Sequence, residues 1–338
     1  MAGSRIVHRR LLIAGPLLAA IGRRADAQGS LQALATQAAG EDAAVWYESS
    51  RSDEADRVLA AFRRSFPDLR VRHESIPGGN GVAARVMQET MARGATGDIV
   101  TVGGGETAQL LRQDLISQQD YAALGVDPRL VHASRAVNTA VSIYCLVYNT
   151  RMMPRPAGWD DLLAPRNKGN VGTWVRAAGF AELSAVWGEQ RVLDFYTRFL
   201  TQGPMFFNAT APLAQAVASG EIALGLGIWH NAQAPKRRGA PIDMVSLDPT
   251  PVSSVYTFVP TKARAPKTAT VFTAWLTGPE GNRAYEQAVG RGSALIPTTQ
   301  THAFLAGKQI SEWPIDNKQP YAEIFERMNR MVVGARAR

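Results

Sequence analysis

The sequence predicts an α/β protein of two interpenetrated lobes joined by crossover strands, and three observations carry that expectation. From residue 43 onward, short apolar runs alternate with amphipathic stretches, the order that yields a mostly parallel sheet covered by helices. The alternation comes in two blocks, and the apolar segments joining them, near 139–149 and 249–256, both have strand character. The length of 338 residues fits roughly two domains. Two crossings mean that the chain leaves the first block, builds the second and returns. Residues 43–140 with 252–300 then form one lobe, 150–248 the other, and 301–338 a helical segment packing on them.

The elements follow in order. Residues 43–47 read as a strand, and 53–66 as a helix with Leu59, Phe62 and Phe66 on one face, ended by Pro67. Strands at 69–73 and 98–102 flank a helix at 81–93, and Gly103-Gly104-Gly105 leads into a short helix at 106–113. A strongly apolar strand at 142–148 ends the first block. The second block reads as a strand at 170–175, helices at 180–187 and 193–200, a helix at 210–219, and a buried strand at 222–228. Thr210 suits an N-cap, Pro212 the first turn, and Gly220 the C′ position. A strand at 252–259 and helices at 269–276, 279–290 and 321–332 complete the chain. The Ala/Gln-rich arm at 29–40 fits either a helix or a loose segment.

Hydrophobic residues make up 46% and charged residues 20%, with 30 Gly and 19 Pro, which excludes a disordered chain, a collagen, a coiled coil and a polytopic membrane protein. The single cysteine, Cys145, permits neither an intramolecular disulfide nor a Cys-rich zinc site, and the five histidines are scattered. Residues 1–27 read as an export signal: a positive stretch with Arg5, Arg9 and Arg10, a short apolar run over 11–22, and Ala25-Asp26-Ala27 before a cut at Gln28. Arg9-Arg10 fits a twin-arginine signal as well as an ordinary one. That segment, with Arg23, Arg24 and Asp26, holds half of the chain's net charge of +8. The remaining basic runs, such as Lys236-Arg237-Arg238, are short and lack interleaved aromatics, so no nucleic acid is expected as a partner.

Several segments together resemble one family. The run from Trp46 to Phe66 is similar to the first strand and helix of periplasmic solute-binding proteins of ABC importers. Ile143-Tyr144-Cys145-Leu146-Val147-Tyr148-Asn149-Thr150 resembles their crossover strand. Trp159-Asp160-Asp161-Leu162-Leu163 with Pro165, and Val217-Ala218-Ser219-Gly220-Glu221-Ile222-Ala223, resemble two further elements in the right order. The similarity covers about 43–300 and points to the type II group that includes ferric-ion, thiamine, polyamine, phosphonate and sugar-phosphate binders. It implies two hinged lobes, a small-molecule ligand in the cleft, a membrane ABC permease as partner, a periplasmic location, a monomer, and neither cofactor nor enzymatic activity. The family's ferric binders carry a tyrosine pair where this chain has Trp229-His230-Asn231, so iron is demoted, since Trp and Asn cannot replace hard anionic oxygens.

Ligands in such sheets sit beyond the carboxyl ends of strands, where helix N-termini favour anions. The expected contacts are therefore Trp46, Glu48, Ser49 and Ser50 after the first strand, and Gly104 and Gly105 after the third. Trp174 and Arg176, Asn208 and Thr210, Trp229 and His230 of the second block, and Tyr256 of the return strand complete the set. Arg176 could clamp a carboxylate or phosphate. Each residue has a plainer role open to it: Ser49, Ser50 and Thr210 as caps, the glycines as a turn, Arg176 as surface, the tryptophans as core, His230 as a hinge-side hydrogen bonder. The inventory leans toward a small anion. A polyamine stays open, because Glu48, Glu106, Trp46, Trp174, Trp229 and Tyr256 could build an acidic aromatic box. An exported enzyme is the rival class, but no Gly-x-Ser-x-Gly is present, and Gly79-Asn80-Gly81-Val82-Ala83-Ala84 matches a dinucleotide loop only superficially.

Overall fold

The computed structural model describes residues 15–76 and 81–336, with side chains from Ala27 to Ala335. Most of the expected export signal, including Arg9-Arg10, and part of the glycine-rich stretch at 79–84 lie outside the described residues. Helix α1 (Gly15–Ala38) runs without a break through the expected cut before Gln28. Past that point Leu31, Leu34, Ala35 and Ala38 pack into the core, so the arm is helical and anchored by its own apolar face.

The first half holds β1 (Ala44–Glu48), α2 (Ser52–Ser65), β2 (Val71–Ser75), α3 (Gly81–Met91), β3 (Ile99–Gly103), α4 (Gly104–Arg112), β4 (Val131–His132) and the long β5 (Ala136–Asn149). The second holds β6 (Val171–Trp174), α5 (Ser184–Trp187), α6 (Glu189–Leu200), β7 (Met205–Phe207), α7 (Thr210–Ser219), β8 (Leu224–Ile228), α8 (Trp229–Arg237) and β9 (Ile242–Val245). The chain returns through β10 (Thr250–Phe258), α9 (Pro266–Thr277), α10 (Pro279–Val289), α11 (Gln300–Leu305) and β11 (Ile310–Ser311), and ends in α12 (Gln319–Arg336).

The strands run in the order β2-β1-β3-β10-β5-β8-β6-β7, with β4 and β9 on β5 and β11 on β10. β1 is parallel to β2 and β3, and β6 is parallel to β7 and β8. Between these groups β10 pairs antiparallel with both β3 and β5, and β5 pairs antiparallel with β8. The two expected crossings are thus adjacent strands in one continuous sheet. Their buried hydroxyls are matched: Thr257 Oγ1 lies 2.8 Å from Thr101 Oγ1 and 2.6 Å from Thr139 Oγ1.

Helix α2 forms because its apolar residues recur at helical spacing, Asp53 and Glu54 complement its N-terminus, and Arg63 and Arg64 its C-terminus. Its buried face presents Phe62, 5.0 Å from the Phe272 ring and 5.2 Å from those of Phe66 and Trp275. In the second half, Phe180 lies 4.9 Å from Tyr196 and Phe199, and Ile324, Phe325, Met328 and Val332 of α12 pack into the same core. The C-terminal helix therefore belongs to the second half, although the chain has just left the first.

Three expectations change. The helix at 180–187 is a 3-10 turn (Ala181–Leu183) followed by one α turn, α5. Thr210 is not the N-cap: Ala209 takes that position, and the Thr210 hydroxyl instead accepts a 2.6 Å bond from Asn231 Nδ2. β7, α8 and β9 were not expected at all. Gly220 does hold the left-handed C-cap of α7, at φ 83°.

Replacing Phe62 with alanine is expected to destabilise the protein by about 3–5 kcal/mol, because the rings of Phe66, Phe272 and Trp275 lose their common contact. The urea midpoint at unchanged m-value measures it.

Candidate solute-binding site

The expected residues lie where parallel strands end. Glu48 closes β1, Gly104 follows β3, Trp174 closes β6, Asn208 follows β7 and Trp229 follows β8. They divide into two polar clusters, and some belong to the core.

The first cluster surrounds Glu48, which is fully buried. Its Oε1 accepts from Arg291 Nη2 at 2.8 Å and from Tyr285 OH at 3.1 Å, and its Oε2 accepts from the Ser50 amide. Arg291 follows α10, in Gly290-Arg291-Gly292, and the Gly292 carbonyl accepts from the Val141 amide of β5. A Cβ on Gly290, whose φ is +85°, would stand 3.2 Å from His230 Cβ, so the return segment touches the start of α8 here. Burial pulls the His230 imidazole down to about 3, and the Arg291 charge adds to the effect. Its Nδ1 is buried and has no hydrogen-bond partner.

The second cluster lies between β6, β10, α4 and the start of α12. Arg176 is exposed, with its guanidinium carbon 5.1 Å from the Trp174 ring and 5.3 Å from the Phe325 ring. No carboxylate among the described residues pairs with it. Glu312 accepts from the Ser254 amide at 2.7 Å, from Ser254 Oγ at 2.6 Å and from Lys318 Nζ at 3.2 Å. Ser254 Oγ in turn accepts from Asn138 Nδ2 at 2.8 Å. Lys318 passes the helix start at Gly104, where a Cβ would lie 3.5 Å from both Lys318 Cε and Tyr256 Cε2. Glu182 accepts from the Gly179 amide at 2.6 Å and from Tyr321 OH at 3.0 Å. Burial lifts Glu182 to about 7, although these two donors and the charge of Lys318 pull the other way. Burial also lifts Glu106 to about 7, and one of its carboxylate oxygens is buried and unpartnered.

The other expected residues stand apart. Trp46 belongs to the core: it is fully buried, its Nε1 donates to Thr101 Oγ1 at 2.9 Å, and its ring packs on Phe272 and Tyr285. Trp229 is buried and stacks on Phe304 at 5.3 Å. Ser49, Gly105 and Asn208 are exposed, and the Asn208 carbonyl accepts from Trp174 Nε1 at 3.1 Å. Sequence reasoning missed Arg291, Tyr285, Glu182, Glu312, Lys318 and Tyr321. Only Arg291 carried a local signal, a cation between two glycines. Among the described residues no group of three or more His, Cys, Asp or Glu side chains could hold a metal ion, and no helix is long and apolar enough to cross a membrane.

A family model described as bacterial extracellular solute-binding protein matches residues 57–315. A curated uncharacterized protein of Haemophilus influenzae is 29% identical over 158 residues, which is 44% of this chain and 44% of that protein, so the match spans less than half the relative's length. Among solved structures, a substrate-binding protein of an ABC transporter from Agrobacterium tumefaciens superposes with a TM-score of 0.71 at 18% identity, over 86% of this chain and 95% of that one. Iron-bound HitA from Pseudomonas aeruginosa gives 0.70 at 17%, over 86% and 99%. AfuA from Actinobacillus pleuropneumoniae with bound fructose-6-phosphate gives 0.66 at 18%, over 87% and 98%. The fold is therefore the two-lobed type II binding-protein fold, as its residues had suggested.

Two predictions follow from the buried charges. Arg291→Met strands Glu48 without a cationic partner and is expected to cost about 3–5 kcal/mol in chemical unfolding, with part recovered in the Glu48→Gln/Arg291→Met double variant. Glu182 holds its proton up to pH about 7 in the folded state but only to about 4.5 when unfolded. Its contribution is full below 4.5 and is lost as pH rises through 7. Glu182→Gln should therefore match the parent protein near pH 5 and exceed its melting temperature at pH 8.

Proposed function

This chain belongs to the bacterial extracellular solute-binding proteins, whose members bind small molecules and deliver them to ABC permeases, and we propose that its solute is a small anion held at Arg176. The protein is a binding component and not an enzyme. In our reading the two halves of the sheet are lobes that rock about β5 and β10. They close when a solute contacts both, because a ligand shifts a conformational equilibrium by its differential affinity for the two states. The closed form then engages the permease. Export by the signal read at residues 1–27 and action as a monomer belong to the same proposal.

The observation that carries the anionic reading is the state of Arg176. Its guanidinium lies over two aromatic rings, and no carboxylate among the described residues pairs with it. A guanidinium with no carboxylate partner suits bidentate capture of carboxylate or phosphate. The acids nearby are already spent: Glu182 and Glu312 are filled by protein donors, and Glu48 by Arg291. A polyamine would need those acceptors free. Glu106, with its unpartnered oxygen, is the one feature that favours the cationic reading. HitA is iron-bound, whereas among the described residues here no group of three or more His, Cys, Asp or Glu side chains could hold a metal ion, and Trp229-His230-Asn231 stands where ferric binders carry a tyrosine pair. AfuA, which has a sugar phosphate bound, agrees in charge with the reading preferred.

Thermal-shift measurements against anionic metabolites, polyamines and Fe(III) test this. An anion at a hundredfold excess over its Kd should add about 2.7 kcal/mol of stability, and Arg176→Met should remove most of that gain. Stabilisation by cations alone would overturn the anionic reading.

A further inference from the structure

Arg176 is one end of a longer arrangement. Its guanidinium rests on the Phe325 ring at 5.3 Å. Phe325 stacks on Tyr321, four residues earlier on α12, with ring centres 5.5 Å apart and planes inclined by 16°. Lys318 lies over the other member of the pair, its Nζ 5.7 Å from the Tyr321 ring centre. The first turns of α12 thus carry a stacked aromatic pair with a cation at each end. Arg176 comes from the end of β6, and Lys318 from the segment passing the start of α4.

Lys318, unlike Arg176, has a carboxylate partner among the described residues, but a shared one. Its side chain is only 15% exposed, yet among the described residues its ammonium makes one hydrogen bond, at 3.2 Å to Glu312. An ammonium has three N–H donors, so it can engage a further acceptor beside Glu312. The Glu312 oxygens meanwhile hold shorter bonds to the Ser254 amide and hydroxyl. Lys318 therefore shares Glu312 with the two donors of Ser254. Each end of the aromatic pair thus carries a cation: Arg176 with no carboxylate partner among the described residues, and Lys318 with one that it shares.

Resting on the anionic reading above, we propose that the solute is a two-headed anion, such as a dicarboxylate or a phosphorylated carboxylate, with one head on Arg176 and the other on Lys318. Its body lies along the edge of the Tyr321–Phe325 stack. Lys318 is then the residue that selects dianions over monoanions, and Arg176 is needed for both.

Calorimetric titration of the full chain with succinate, glutarate, adipate and 3-phosphoglycerate, against acetate, butyrate and valerate, tests the assignment. At least one two-headed probe should bind about tenfold or more tightly than the matching monocarboxylate, the gain of one added charged hydrogen-bonding contact. Lys318→Met should abolish that preference, whereas Arg176→Met should weaken binding of both classes. Lys318→Arg, which keeps the cation if the methionine variant fails to fold, should retain the preference. Equal binding of one- and two-headed probes, or a preference that survives Lys318→Met, overturns this inference and leaves the anionic reading standing. Absence of binding by every anion, with binding of a polyamine, overturns both.

Discussion

The antiparallel ladder between β5 and β10 is the constraint on which the rest of the molecule depends. These two strands pair from Val252 with Ile143 through Phe258 with Ala136, and each also pairs with a parallel group: β10 with β3, and β5 with β8. Breaking the ladder would expose backbone donors and acceptors that the core cannot satisfy. Twisting or bending the two strands leaves their hydrogen bonds intact. The same ladder holds the halves together and, in the reading proposed above, is where they bend; its register shifts between Val255 and Tyr256.

Everything placed near that ladder has to settle its charge. Glu48 is buried because Arg291 and Tyr285 meet it, and Trp46 is buried because Thr101 takes its indole N–H. Glu312 is matched by Ser254 on β10 itself. Ser311 Oγ and Trp313 Nε1 reach Glu182 O and Ser184 Oγ in the second half, each at 2.7 Å, so the C-terminal segment ties the return strand to the opposite half. Arg176, by contrast, has no carboxylate partner among the described residues, which is why the proposed solute is placed on it.

Local chemistry made much of the fold legible. Apolar periodicity marked α2, Gly220 marked the end of α7, and unbroken apolar runs marked β5 and β10. What stayed hidden was set by other forces. β7 is only Met205–Phe207, a stretch that depends on its partner β6 for its identity. α8 carries Pro235 among polar residues and reads locally as a loop, yet Trp229, Ala232 and Pro235 are buried against neighbouring elements. The site was half legible for the same reason. Strand ends announced Glu48, Gly104 and Arg176, but Arg291 lies 243 residues from Glu48 and Glu312 lies 58 from Ser254, so only the folded chain brings the partners together. Trp46 resembled a ligand-facing aromatic because periodicity does not show on which side of a sheet a helix will pack.

The most direct measurement of closure about β5 and β10 is the distance between spin labels on Arg63→Cys, in α2, and Gln190→Cys, in α6. Both positions are exposed, and the native thiol Cys145 is fully buried and does not compete for label. A solute that raises the melting temperature should shift the distance distribution to a shorter, narrower form. A distribution unchanged by such a solute would contradict closure of two lobes about the shared strands.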